Sequence, residues 1–223
     1  MSRMDDEPQR DMHAPEMHAP EMRAPDGRAH AALRSAHGHS ISPRDRVDAE
    51  RGTVALRRKR MLFWLSALLI LSLDVATKYL AHSEMREHAR RPVLGEWLRL
   101  TLLYNPGAAF GLSLGPYSRW LFTALTIVAL VILAALYRSA ARTDRPRVLA
   151  LGLVIGGALG NLVNRLWSVR GVVDWIDVGI GEHRWPSFNV ADIGVSIGAV
   201  LLAITFWRED RAKARESSHG GAR

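Results

Sequence analysis

The chain has 223 residues, no cysteine and a formal net charge of +8. The lack of cysteine excludes disulfide bonds, thiolate metal sites and a cysteine nucleophile. The average composition hides two different regions, because residues 1–60 are polar and residues 61–207 are dominated by apolar segments.

The polar region is rich in Arg, His, Pro and Ala, and the sequence Met-His-Ala-Pro-Glu occurs at 12–16 and again at 17–21. With few large apolar side chains, this region cannot bury enough surface to offset the entropy lost on ordering. We therefore expect residues 1–60 to form a disordered cytoplasmic tail. Its histidines could form a metal-binding tract, but a solvated tail is the simpler interpretation.

Four apolar segments of helix length follow the tail. Each has about 18 to 20 residues and, at about 1.5 Å rise per residue, is long enough to cross a hydrocarbon core of about 30 Å. The segments are 61–80, 120–137, 148–167 and 188–207. The first segment continues through Asp74 and Lys78 without a small-residue cleavage site, and three further spans follow. A multispanning membrane protein is therefore favoured over a cleaved signal peptide. The pattern predicts an all-α membrane protein with four transmembrane helices over residues 61–207 and a short cytoplasmic tail at 208–223.

The distribution of Lys and Arg predicts the orientation of these spans. Basic residues are concentrated before the first span, between the second and third, and after the fourth, whereas the other two connections carry fewer. By the positive-inside rule, both termini lie in the cytoplasm. The basic charge is then explained by topology and by contacts with membrane lipids, and we expect no binding of nucleic acid.

With this orientation, strongly polar residues of three spans lie at the outer side of the membrane. Scattered structural polar residues would not converge at one depth, so the convergence predicts a functional site near the outer leaflet. The residues are Asp74 and Lys78 of the first span, Asn161, Asn164 and Arg165 of the third, and Asn189 and Asp192 of the fourth.

Two features of the spans have a structural and a functional interpretation. Asp74 and Lys78 are four residues apart, the spacing at which opposite charges meet on a helix. They either anchor the helix end, with Lys78 extended outward, or place Asp74 in the wall of a polar site. The stripe formed by Gly152, Gly156 and Gly160 predicts close helix packing.

The outer end of the third span carries three polar side chains on nearly one face, Asn161, Asn164 and Arg165. Such a stripe could hold the backbone of a polar substrate. It could also bind a lipid phosphate or cap the helix bundle. We favour a role in substrate binding or in organising the site.

The first outer connection contains strand and turn patterns. Residues 97–102 alternate well enough for a short strand, and Asn105-Pro-Gly107 is typical of a turn. The small residues that follow allow close approach of a ligand or a neighbouring strand. We expect this connection to fold over the membrane surface.

Asp174 and Asp192 are carboxylates beside and inside apolar segments, where charge is expensive and usually marks function. If the two side chains meet, like charges raise one pKa and the pair holds a single shared proton. That state suits peptide hydrolysis, because one carboxylate activates water while the protonated carboxyl polarises the carbonyl. The alternative is that Asp192 caps a helix together with Asn189, and Asp174 is an exposed loop acid.

Other classes of function are less well supported. A transporter or channel that relays protons would need ionisable groups along the full depth of the bilayer, but the inner halves of the spans are apolar. A serine hydrolase would need a glycine-flanked nucleophile with a nearby base. A zinc protease would need a pattern such as His-Glu-x-x-His, which does not occur.

Five motifs in chain order resemble those of the lipoprotein signal peptidase family (signal peptidase II), the intramembrane aspartyl proteases of bacteria. They cover residues 74 to 192. They are Asp74-Val-Ala-Thr77-Lys78, Asn105-Pro-Gly107-Ala-Ala-Phe110-Gly111, Gly156-Gly-Ala-Leu-Gly160-Asn161-Leu-Val-Asn164-Arg165, Val173-Asp174 and Phe188-Asn189-Val-Ala-Asp192.

The resemblance implies that Asp174 and Asp192 are the catalytic pair of a protease without a metal or other cofactor. It implies four transmembrane helices with a small extracytoplasmic β-cradle formed by the first outer connection. One residue departs from the family pattern, because Asn164 stands where members often have Asp. The remaining positions are implied to line or support the substrate cleft: Asn105, Gly107, Asn161, Arg165, Asn189 and Asp74.

The resemblance also implies the substrate and the location. The expected substrates are prolipoproteins, cleaved just before a diacylglyceryl-modified cysteine. The enzyme is expected in the bacterial inner membrane, as a monomer in contact with lipids, with its active site near the outer leaflet. That depth agrees with the one inferred above from the charge distribution.

Overall fold

The computed structural model of the chain describes residues 42–107 and 115–220. Within these residues there are four α-helices and one small antiparallel sheet. The helices are α1 (Pro43–Glu84), α2 (Ser118–Ser139), α3 (Arg145–Trp167) and α4 (Val190–Gly220), with a short 3-10 turn at Gly115–Tyr117. The strands are β1 (Arg90–Leu94), β2 (Leu98–Asn105), β3 (Val172–Ile180) and β4 (His183–Arg184).

Helix α1 begins at Pro43, so residues 43–60 are helical and the predicted boundary of the disordered tail at residue 60 was wrong. The local reason is a capping box. The Asp45 N–H donates to Ser42 Oγ at 3.2 Å, and the Ser42 N–H donates to Asp45 Oδ2 at 3.2 Å, which satisfies two donors of the first turn. Proline is favoured at the first helical position. The repeat at 12–21 lies outside the described residues.

All four helices are long and apolar enough to cross a membrane, which confirms the predicted spans. Their outward faces are apolar: Leu69 of α1, Val131 of α2 and Val200 of α4 are more than half exposed. Exposed apolar surface on this scale is typical of helices in contact with hydrocarbon. The protein is therefore a multi-pass membrane protein.

Helix α3 is the most buried of the four spans. Asp144 caps its start by accepting the Arg147 N–H at 3.2 Å. Its glycine stripe contacts α1 closely, because a Cβ atom at Gly152 would overlap Ser66 and one at Gly156 would overlap the backbone of Ala67. The prediction that this stripe is a packing face is confirmed.

The four strands form one sheet in the order β1-β2-β3-β4, with all neighbours antiparallel. The predicted strand over 97–102 is confirmed as part of β2. The expectation that the first outer connection alone forms the cradle was too narrow, because β3 and β4 come from the second connection. The sequence between 172 and 184 contains several β-branched residues, but its partner β2 lies about 70 residues earlier in the chain.

A small apolar cluster joins the end of α1 to the sheet. It consists of Ala81 and Met85 from α1, Leu102 from β2 and Val173 from β3, all of them buried. Because Val173 precedes Asp174, this cluster fixes the strand that carries one of the two candidate catalytic acids.

Candidate active site

Asp174 lies on β3, opposite Leu103 of β2, and its side chain is buried. Its carboxyl accepts two amide hydrogen bonds. Asn189 Nδ2 donates to Oδ1 at 2.8 Å, and Asn105 Nδ2 donates to Oδ2 at 3.2 Å. The alternative that Asp174 is an exposed loop acid was wrong, since the strand pairing places it inside the protein.

Asn105 is oriented by the turn that follows β2. Its Oδ1 accepts the backbone N–H of Gly107 at 3.0 Å, which directs Nδ2 toward Asp174. Gly107 has φ of 113°, a conformation that favours glycine. A Cβ atom there would also contact Ser118 and Phe122 of α2. The predicted turn is thus confirmed, whereas residues 108–111 of the same motif lie outside the described residues.

Asp192 lies in the first turn of α4 and caps that helix together with Asn189. The Asp192 N–H donates to Asn189 Oδ1 at 3.0 Å, and the Asn189 N–H donates to Asp192 Oδ2 at 3.1 Å. The hydrogen bonds of Asp192 and Asn189 are therefore those of a helix cap, as the capping interpretation predicted. The cap does not compete with a chemical role, because the second carboxyl oxygen, Oδ1, accepts from Asn161 Nδ2 at 2.8 Å.

Pairing within the sheet places Asn189 next to Asp174. Phe188 pairs with Ile176 of β3, and its N–H donates to the Ile176 carbonyl at 3.0 Å. The next residue, Asn189, is fully buried and contacts both acids, Asp174 through Nδ2 and Asp192 through its backbone N–H and Oδ1. The structure thus brings both acids into contact with a single asparagine.

A buried ion pair on α1 supports this arrangement. Lys78 Nζ lies 2.7 Å from Asp74 Oδ2 and donates to Asn161 Oδ1 at 2.8 Å. Lys78 does not extend outward; it is 4% exposed. Asp74 Oδ1 accepts the backbone N–H of Ala191 at 2.9 Å, so it also satisfies the start of α4. The predicted ion pair is confirmed, the outward extension of Lys78 was wrong, and a functional role of Asp74 in the wall of the site stays a prediction.

The electrostatic state of Asp174 follows from its surroundings. Burial raises the pKa of its carboxyl from 3.8 to about 6, and the nearby Asp192 carboxylate contributes to the rise. The hydrogen bonds from Asn105 and Asn189 and the charge of Lys78 act in the opposite direction but are weaker. With a pKa of about 6, Asp174 is about half protonated at pH 6 and about one-tenth protonated at pH 7.

The other two predicted residues of α3, Asn164 and Arg165, contact different elements of the fold. Asn164 Oδ1 accepts the Val173 N–H at 3.4 Å, which ties α3 to β3. The guanidinium of Arg165 lies 3.4 Å from Thr126 Oγ1 and faces the ring of Phe122 on α2.

Arg119 is a supporting residue that sequence reasoning missed. Its guanidinium donates to the carbonyls of Arg165 at 2.5 Å and Leu166 at 3.1 Å. These are among the last carbonyls of α3, which have no partner within the helix. The sequence signal that could have identified Arg119 is the presence of an arginine at the start of an otherwise apolar span.

The side chains of the site have the composition of an acid–base centre. In residues 42–107 and 115–220, no group of three His, Cys, Asp or Glu residues is arranged to hold a metal ion. The site contains two carboxyls that accept hydrogen bonds from amide donors, and the pKa of one of them, Asp174, is raised by burial.

A family model described as "Signal peptidase (SPase) II" matches residues 66–208, which include every residue of this site. The chain belongs to the signal peptidase II family. Curated relatives agree with the assignment. The lipoprotein signal peptidase of Hydrogenovibrio crunogenus is 40% identical over 158 residues, which cover 70% of this chain and 90% of the relative. That of Francisella tularensis subsp. novicida is 35% identical over 150 residues, covering 66% and 92%.

Solved structures also resemble this signal peptidase II family member. One is described as a bacterial membrane enzyme determined by the in meso method at 2.3 Å resolution. It superposes with a TM-score of 0.61 at 31% identity and covers 67% of this chain and 89% of the other. A second such bacterial membrane enzyme gives a TM-score of 0.58 at 32% identity. The predicted fold class is confirmed.

Proposed function

We propose that this signal peptidase II family member removes the signal peptide of prolipoproteins with Asp174 and Asp192 as its catalytic pair. The bond cleaved is the peptide bond just before a diacylglyceryl-modified cysteine. The observation that carries the proposal is that Asn189 holds both carboxyls, one at 2.8 Å from Nδ2 and the other at 3.1 Å from its backbone nitrogen.

The proposed reaction uses one shared proton. In the reactive form Asp174 carries the proton, which burial favours by raising the pKa of its carboxyl to about 6, and Asp192 is the base. Asp192 takes a proton from water as the water oxygen bonds to the scissile carbonyl carbon, and Asp174 gives its proton to the carbonyl oxygen. Collapse of the tetrahedral intermediate returns a proton to Asp174 and releases the amine, which has received a proton from Asp192.

The other polar residues position this pair. Asn105 and Asn189 orient Asp174, and Asn161 orients Asp192. Lys78 contributes through Asn161, with which it forms a hydrogen bond at 2.8 Å. Arg165, Gly107 and Asn164 complete the site as substrate-binding or supporting residues.

We also propose that both termini lie in the cytoplasm and that the dyad is close to the outer leaflet. The distribution of basic residues supports this orientation. The chain has no cysteine, so single cysteines placed at Ser187 and at Ser217 can be labelled selectively in intact cells. An impermeant maleimide is expected to label the Ser187→Cys variant but not the Ser217→Cys variant. The opposite result would show that the orientation is the reverse of the proposed one.

The test of the catalytic pair is cleavage of a lipid-modified precursor by purified protein. Asp174→Asn and Asp192→Asn are expected to lose at least about 1,000-fold in rate, since each removes acid–base catalysis. The matched control is Asp177→Asn, also a buried acid on β3, which instead pairs with Arg184 at 2.8 Å. It should keep its rate within about tenfold.

Full cleavage by either dyad variant would overturn the proposed roles. A chelator arm is included, and inhibition by the chelator would indicate a metal-dependent reaction instead. Equal amounts of membrane-inserted protein in all samples are required for the comparison.

A further inference from the structure

A polar groove of about 680 Å³ lies over the sheet and takes its lining from all four strands and from the segment after β4. This volume falls within the range of about 300–1,000 Å³ typical of ligand sites. Alternate residues of β2 line it, Arg99, Thr101 and Leu103, as expected for one face of a strand. The groove therefore follows β2 for four residues, or about 13 Å at about 3.3 Å per residue.

One end of the groove lies beside the dyad. Leu103 pairs directly with Asp174, and side chains of directly opposed residues lie on the same face of a sheet. Ser187, in the opposite wall, is two residues before Asn189, which contacts both acids. The other face of β2 is covered, because Leu102 packs against the end of α1. A polypeptide that is cleaved at the dyad therefore has direct access to the groove.

The charges that line the groove are only partly satisfied within the protein. Arg184 and Asp177 pair at 2.8 Å with side chains 18% and 11% exposed, so together they add no net charge. The side chain of Arg99 is 17% exposed, and its one ion pair among the described residues is with Glu96, at 3.9 Å. Because Glu96 is 77% exposed, that pair contributes little. Arg99 is thus a largely buried cation in the groove without a close partner.

The chemistry of the lining indicates which part of a substrate fits. Between Arg99 and the dyad the groove carries the neutral hydroxyl side chains of Thr101 and Ser187, which suit a polar peptide. A signal peptide contains an apolar core of about 7–15 residues, and such a segment belongs in hydrocarbon. The residues after the scissile bond belong to the released protein, so they are the part that a polar groove outside the hydrocarbon fits.

We propose that the groove binds the residues that follow the lipid-modified cysteine, and that Arg99 favours an acidic over a basic side chain among them. This inference rests on the proposed function. An extended chain rises about 3.3 Å per residue, so Arg99 is reached by about the fourth residue after the scissile bond. Arg99 is then a specificity-determining residue and takes no part in the acid–base chemistry.

Disulfide trapping tests where this part of the substrate lies, because the chain has no cysteine of its own. Arg90 and Arg91 are adjacent, exposed residues of β1. Arg90 pairs with Thr101 on the groove face, whereas Arg91 pairs with Leu100 on the opposite face. Arg90→Cys and Arg91→Cys are therefore matched variants.

Each variant is made in the full chain with Asp174→Asn, so that the precursor stays intact. The precursors carry one additional cysteine at each of the second to sixth residues after the lipid-modified cysteine, whose sulfur is blocked. Crosslinking to Arg90→Cys should exceed crosslinking to Arg91→Cys at least about tenfold, because disulfide formation follows the effective concentration of the two thiols. The yield should peak at one or two neighbouring positions of the precursor.

Charge preference tests the role of Arg99. The measured quantity is kcat/KM for precursors with Asp, Asn or Lys at each of the third to fifth residues after the bond. Wild type should prefer Asp to Lys about tenfold at one of these positions. Arg99→Gln should reduce this preference to about twofold or less, Arg99→Glu should invert it, and Arg91→Gln should retain it.

Equal crosslinking of Arg90→Cys and Arg91→Cys would overturn the placement of the substrate, and this comparison does not require the Arg99 variants to accumulate. An unchanged charge preference in Arg99→Gln would overturn the role of Arg99. Loss of the crosslink in phosphatidylglycerol vesicles but not in phosphatidylcholine vesicles would assign the groove to lipid head groups instead. Failure of the proposed function is seen separately, as undiminished cleavage by Asp174→Asn.

Discussion

The two ends of the helix bundle both bury charged side chains, but they satisfy the charges in different ways. At the end away from the sheet, Lys59 donates to the carbonyls of Tyr137 at 2.8 Å and Ala140 at 2.6 Å, and Arg147 pairs with Glu209 at 3.1 Å. At the other end, Lys78 pairs with Asp74, and the carboxyls of Asp174 and Asp192 are held by amide donors.

The difference shows which buried charges indicate chemistry. A cation at the C-terminal end of a helix, as Lys59 is for α2, interacts favourably with unpaired carbonyls and needs no functional explanation. Asp174 and Asp192 are instead held by neutral donors, and no residue in the described part of the chain forms an ion pair with either of them. The proposed reaction, which requires a proton to be held and released, accounts for this arrangement.

The pH dependence of stability is the strongest test of the difference between the two ends of the bundle. Because burial raises the pKa of Asp174 from 3.8 to about 6, the folded protein binds this proton more tightly than the unfolded chain does. The stabilising contribution is full below about pH 3.8 and is lost as the pH rises through 6. Wild type should therefore lose up to about 3 kcal/mol relative to Asp174→Asn between pH 3.8 and 7.5. Thermal unfolding in detergent at several pH values measures the difference, and a difference independent of pH would contradict it.

Asn161 tests whether the dyad end depends on its amide network. Asn161→Leu removes the donor to Asp192 and the acceptor of Lys78, and cleavage should fall about 100-fold because the carboxyl is misplaced. Asn164→Leu, about one turn away on α3, loses the 3.4 Å contact with the Val173 N–H, and its cleavage rate should fall less than about tenfold. Steady-state cleavage rates of the two variants measure this difference. Equal losses of rate would show that Asn161 has no special role.

Lys59 tests the opposite end. Lys59→Met leaves the carbonyls of Tyr137 and Ala140 without their donor and should cost about 2 kcal/mol of stability, while cleavage stays within about twofold of wild type. Lys59→Arg keeps a donor and should recover part of the stability. Thermal unfolding and cleavage are measured on the same samples. A large loss of activity in stably folded Lys59→Met would mean that the two ends are not functionally separate.

The sequence predicted the features that depend on local composition. The four spans, the Asp74–Lys78 pair, the turn after Asn105 and the glycine packing face follow from length, i,i+4 spacing or side-chain size, and the structure confirms each. The start of α1 was placed too late because the polar composition of 43–60 outweighed the capping residue Ser42.

Features that depend on distant pairing were not predictable in the same way. The position of Asp174 on a strand depends on β2, which lies in the other connection. The central position of Asn189 depends on the pairing of Phe188 with Ile176. From the sequence, capping and catalysis were competing interpretations of Asp192, whereas in three dimensions one carboxyl oxygen serves the cap and the other faces Asn161.

The most direct test of the dyad is a comparison of cleavage rates among wild type, Asp174→Asn, Asp192→Asn and the double variant. If the two acids act as one unit around a single proton, the double variant should be no slower than either single variant, since the effects of such residues are not additive. If the two losses multiply instead, the acids act independently and the shared-proton account is contradicted.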